Sequence, residues 1–177
     1  MALTELQKRK FKAAFDSQDF DGSGVLTQED FDGFFAQIKR FAGQNLTIEE
    51  LLQKQWSELN SKADVDKNGG VTLEEWYDYL DDLMNDPKRF EDYIIQTAKT
   101  LLALINPDEN AIITLEEYTK FVKALSVESR EAEIAFKKLD KSGDGRLSIG
   151  EFLKNVREFY FNKDDEKAPS NWLFGKF

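Results

Sequence analysis

The sequence predicts an all-α, compact fold of two lobes, made of four helix–loop–helix units and so of eight helices. Three observations predict it. A thirteen-residue pattern recurs along the 177 residues: "DFDGSGVLTQEDF" from Asp19, "DVDKNGGVTLEEW" from Asp64, "NPDENAIITLEEY" from Asn106 and "DKSGDGRLSIGEF" from Asp140. Every copy has an acid or amide first, an aliphatic eighth, an acid twelfth and an aromatic after it, which chance does not supply four times. Apolar residues recur at helical spacing on both sides of the copies.

Taken in order, Leu3, Leu6, Phe11, Ala14 and Phe15 predict the helix entering the first loop, and Phe31, Phe34, Phe35 and Ile38 the helix leaving it. Leu51, Leu52, Trp56 and Leu59 enter the second loop, and Trp76, Tyr79, Leu80 and Leu83 leave it. Thr47 with Glu50 three residues on fits a capping box that starts the incoming helix. "MNDPKRF", with Pro87, interrupts the pattern and divides 1–86 from 87–161. Helices over Tyr93–Ile105 and Tyr118–Leu125 flank the third loop; Ala132–Leu139 and Phe152–Phe161 flank the fourth. The tail, 162–177, ends in Trp172, Leu173, Phe174 and Phe177, too apolar to be left in water, and is expected to pack on the body. The eighth residues Leu26, Val71, Ile113 and Leu147 suit short strands that pair loop one with two and loop three with four.

Composition narrows the chemistry. Fifteen Phe, 5 Tyr and 3 Trp within a 41% hydrophobic chain give ample material for a core. A net charge of -10 repels phosphate backbones and anionic membranes and attracts cations, so no nucleic-acid partner is expected. With neither Cys nor His, disulfides, thiolate nucleophiles, common zinc ligands and the usual neutral-pH base are missing, and no enzyme activity is expected. "MALTELQKRKF" lacks the apolar core of a signal peptide, Ala2 replaces the glycine a myristoyl group needs, and no stretch is long enough for a membrane span. A cytoplasmic monomer without a membrane anchor or obligate protein partner is expected.

Carboxylates two residues apart repel one another unless a cation lies between them. A twelve-residue loop can wrap one hard ion through positions 1, 3, 5, 7, 9 and 12, the seventh by its carbonyl. Loop one supplies Asp19, Asp21, Ser23, Val25, Thr27 and Asp30; loop two supplies Asp64, Asp66, Asn68, Gly70, Thr72 and Glu75. Loop four supplies Asp140, Ser142, Asp144, Arg146, Ser148 and Glu151. The sixth residues Gly24, Gly69 and Gly145 allow the sharp turn at positive φ. Loop three, with Asn106, Asp108, Asn110, Ile112 and Glu117, has an amide where an acid should begin and Ala111 where glycine is wanted, so about three filled sites are expected. Asp30 is shorter than the usual Glu, which suits one-oxygen, six-coordinate binding and so competition by magnesium in loop one.

These four motifs resemble EF-hands, helix, calcium loop, helix, and they govern almost the whole chain. The degenerate loop among four, the long link between loops one and two, and a tail of the form "FYFNKDD…NWLFG" resemble the invertebrate sarcoplasmic calcium-binding proteins and their relative calexcitin. That resemblance implies a cytosolic buffer of muscle or neurons that exchanges calcium against magnesium. Met1 and Met84 alone are too few methionines for the adaptable groove of a sensor, which favours the same reading. The alternatives are a calexcitin-like regulator of another protein and a luciferin (coelenterazine) carrier; light-emitting relatives depend on histidines that this chain lacks. A carrier predicts a large internal cavity lined by Trp56, Trp76, Phe side chains and the tail.

Overall fold

The computed structural model describes residues 2–42, 46–106, 112–124 and 129–175. Its helices are α1 (Glu5–Asp16), α2 (Gln28–Ala42), α3 (Leu46–Ala63), α4 (Leu73–Asn85), α5 (Pro87–Phe90), α6 (Gln96–Ile105), α7 (Leu115–Ala124), α8 (Ser129–Leu139) and α9 (Ile149–Phe161). A π-helical turn, Glu91–Ile95, joins α5 to α6, so 87–105 is one rod and the described helices form eight rods, as predicted. The amide of Gln96 reaches back five residues to the carbonyl of Glu91, which defines the wider turn. Pro87 occupies the first turn of α5, where its missing N–H costs nothing, and the Asp86 side chain caps the amides of Lys88 and Arg89.

One expected start is displaced. α3 already runs from Leu46, so Thr47 stands inside the helix and is not its cap, and its side chain lies outside the described residues.

Two short ladders join the loops. β1 (Val25–Leu26) pairs antiparallel with β2 (Val71–Thr72), placing Leu26 opposite Val71. β3 (Ile112–Ile113) pairs with β4 (Leu147–Ser148), placing Ile113 opposite Leu147. Period-2 alternation sends these eighth residues inward, where Leu26, Val71, Ile113 and Leu147 are buried, while the seventh carbonyls remain with the loops.

Both halves feed one core. Phe11 from α1 packs on Phe159 and Tyr160 of α9, Phe15 meets Trp76 edge-on, and Phe90 lies against Tyr160 and Phe161. The tail joins them: a 3-10 turn, Pro169–Trp172, sets Leu173 into full burial, its carbonyl takes the Tyr118 hydroxyl at 2.8 Å, and Phe174 stands edge-on to Phe159. Phe177 lies outside the described residues.

Candidate metal centres

The twelfth residue of each loop is also the third residue of the helix that follows. Its neighbour at position 9 is the helix cap. Thr27, Thr72, Thr114 and Ser148 each direct a backbone amide and a hydroxyl at one oxygen of Asp30, Glu75, Glu117 and Glu151, at 2.7–3.0 Å. In loops two, three and four the acid's own amide returns a bond to the capping hydroxyl, completing a capping box. One carboxylate oxygen is thereby anchored by the helix start and the other is left for the loop. The pairing of Ser or Thr at position 9 with an acid at 12 is visible in all four copies of the sequence pattern.

In loops one and two that second oxygen turns inward. Asp30 Oδ1 accepts the amide of Phe20 at 2.9 Å, and Glu75 Oε1 accepts that of Val65 at 3.0 Å. The carboxylates of Asp19, Asp21 and Asp30 consequently lie within 4.8 Å of one another, as do those of Asp64, Asp66 and Glu75. Asp30 is buried, and its shorter side chain does reach the other two acids. Among the described residues no such trio forms in loop four. Asp140 accepts from the amides of Gly143 and Gly145 and from the Ser142 hydroxyl, Asp144 accepts from the Arg146 amide, and no bond from Lys141 draws Glu151 in. In loop three, Asp108, Asn110 and Ala111 lie outside the described residues.

The remaining positions complete an oxygen cage. Ser23 Oγ lies 3.0 Å from the Val25 carbonyl, and Asn68 Oδ1 accepts the Gly70 amide while its Nδ2 bonds Asp66. Gly70 has a steric reason as well: a Cβ there would stand 2.4 Å from Val25 Cγ1 across the ladder. The Ser23 hydroxyl, then its amide, holds the Asp21 carboxyl below its ordinary range, and the Thr72 amide does the same for Glu75. Such donors are hard, anionic and crowded, which is the chemistry of a calcium or magnesium site. The residues therefore fit a divalent cation in loops one and two as they stand.

Positive φ occurs at the sixth residues Gly24, Gly69 and Gly145, as the turn requires, and also at the fourth: Gly22 at 68°, Lys67 at 56° and Gly143 at 72°. Lys67 alone among the described residues holds this geometry with a side chain. We expect Lys67→Gly to equal or exceed the wild type in stability and Lys67→Val to fall below Lys67→Gly by about 1–2 kcal/mol, measured by urea unfolding. Equal stabilities for the two variants would contradict the strained turn.

Behind loop one lies a cavity of about 220 Å³. Its wall includes Phe31, Trp56, Trp76, Phe121, Tyr160 and Phe174, together with Thr27 and Asp30 of the loop itself. The two tryptophans and the tail residue are those a carrier predicts, but the space is small where a carrier predicts a large one.

Helix, loop, helix, repeated and paired through β ladders, defines the class by fold: this is the architecture of the EF-hand calcium-binding repeat proteins. The profile of the EF hand family matches residues 132–156, the fourth unit. Calerythrin of Saccharopolyspora erythraea is 26% identical over 170 residues, covering 92% of this chain and 96% of its own. The sarcoplasmic calcium-binding protein, beta chain, of Penaeus sp. is 23% identical over 175 residues, covering 89% and 88%. Among solved structures, okadaic acid binding protein 2.1 superposes with a TM-score of 0.80 at 22% identity, covering 99% of this chain and 97% of that one. Sarcoplasmic calcium-binding proteins are thus among its relatives. Among the described residues no helix is long and apolar enough to cross a membrane.

Proposed function

We propose that the protein is a cytoplasmic, monomeric calcium buffer, with magnesium competing for loop one. The observation that carries this reading is the pair of converging acid trios in loops one and two, backed by a core shared between the halves. A sensor must part its helices to show an apolar groove, and here the helix faces are committed to one aromatic interior. Loops one, two and four hold the ions; loop four closes on its ion by swinging Glu151 inward.

Titration calorimetry with calcium, with and without millimolar magnesium, tests the reading. Three calcium sites are expected, one of them weakened at least about tenfold by magnesium, and Asp30→Glu should restore that site's preference for calcium. Uptake insensitive to magnesium at every site would refute the exchange. A steep calcium-dependent rise in binding of a hydrophobic dye would refute the buffer in favour of a regulator.

The cavity supports a second reading, carriage of a small apolar ligand, and okadaic acid binding protein 2.1, similar in fold, bears such a ligand in its name. At about 220 Å³ the space is below the roughly 300–1,000 Å³ of drug-sized sites, so a coelenterazine-sized guest must push the walls apart. Tryptophan fluorescence decides: Trp56 and Trp76 line the space, and a saturable quench by coelenterazine establishes carriage, whereas an unchanged spectrum dismisses it.

A further inference from the structure

We infer that Asn106 makes loop three a brace that needs no metal, its side-chain N–H standing in for the cation at the loop's seventh carbonyl. The inference rests on reading loops one, two and four as ion sites. In those loops the first residue is a carboxylate that only accepts. Asp19 takes the amides of Ser23 and Gly24 at 3.0 and 2.8 Å, Asp64 those of Asn68 and Gly69 at 3.0 Å each, and Asp140 those of Gly143 and Gly145 at 2.8 Å. In a filled loop of this kind the first carboxylate and the seventh carbonyl face the same ion, two acceptors that only a positive charge reconciles.

Loop three reverses the polarity. Asn106, buried, donates from Nδ2 to the carbonyl of Ile112, the seventh residue, whose oxygen faces the ion in a filled loop. A neutral donor thus satisfies an oxygen that elsewhere awaits a cation, and an ion would have to displace it while gaining one carboxylate fewer. The donors do not fit a filled site as they stand, and they fit a structural one. Glu117 keeps its capping role toward Thr114.

The consequence lies in the ladders. Ile112 pairs with Ser148 and Ile113 with Leu147, and Ser148 caps the helix that carries Glu151. A metal-independent bond holding Ile112 therefore presents loop four to its ion with the ladder already formed. The N-terminal ladder, by contrast, joins two loops that both need ions. Loops one and two should fill with mutual help, and loop four alone.

The test uses the full chain. In the wild type, the Asn106 side-chain NH₂ resonance, assigned by its absence from Asn106→Asp, should hold its position under saturating calcium while the Gly24, Gly69 and Gly145 amides move. In chelator, Asn106→Ala and Asn106→Asp should each lower the unfolding midpoint by roughly 4–8 °C, since a buried carbonyl loses its donor. Calcium-dependent movement of the Asn106 resonance, or variants that melt with the wild type in chelator, would overturn the inference. Four equivalent calcium sites in the wild type would defeat this inference alone, whereas no calcium uptake at all would defeat the buffer reading.

Discussion

Heated in chelator, the protein should unfold roughly 15–30 °C below its midpoint in calcium. Each of loops one, two and four carries three acids at its candidate ligand positions, and with no ion their mutual repulsion opposes the folded loop. A ligand that binds only the folded state at a hundred times its Kd adds about 2.7 kcal/mol per site, so three sites give about 8 kcal/mol. A chain of this length gains roughly 2–4 °C per kcal/mol. The effect is expected to reach the helices because the twelfth residues, the proposed ligands, are also third residues of α2, α4 and α9. Circular dichroism during heating, in each buffer, gives the comparison. Midpoints within a few degrees of each other would show that the loops carry no folding energy.

A second large effect belongs to Lys10. This lysine is fully buried in α1, and its ammonium donates to the carbonyls of Phe159 and Asn162 at the end of α9. Gln7 serves the carbonyl of Tyr160 at 2.9 Å and Thr4 that of Lys163 at 2.7 Å, so α1 caps the C-terminus of α9 from the far end of the chain. Burial pushes the Lys10 pKa down from 10.5 to about 8. Between those values the unfolded chain binds the extra proton, so stability rises with pH. Tyr79, Tyr118 and Tyr160 are pushed up by burial and act oppositely once their unfolded counterparts ionise near pH 10. The rise is therefore expected from pH 8 to about 10, with a slope of about 1.4 kcal/mol per pH unit. Urea unfolding at pH 8 and 9.5 should show it in the wild type and not in Lys10→Met. An equal slope in both proteins would acquit Lys10.

Much of this molecule was legible in its residues. Phe and Leu at helical spacing on either side of acidic loops fixed the eight rods, and the eighth residues fixed both ladders, because a β bridge needs an aliphatic facing inward just there. Neither the start of this rod nor its π-helical turn was legible: the apolar pattern predicts helix only over Tyr93–Ile105, with Pro87 as a break, and one extra residue per turn leaves no mark on it. Positive φ at position 4 was half visible, in Gly22 and Gly143, and hidden at Lys67. The difference between loops two and four was partly legible, since position 3 is Asp66 in one and Ser142 in the other and the acid of loop four stands at position 5 as Asp144; the inward turn of Glu75 was not. Nothing in the sequence sets Lys10 apart from Arg9 and Lys12; its partners lie about 150 residues away and are carbonyls, which no side-chain pattern announces.

The most direct test of the central claim is equilibrium dialysis of metal-free protein against radiolabelled calcium at micromolar concentration. About three ions per chain are predicted, falling by one when Glu75 is replaced by Gln. Metal-free protein that retains no calcium under those conditions would contradict the claim that these oxygen cages exist to hold it.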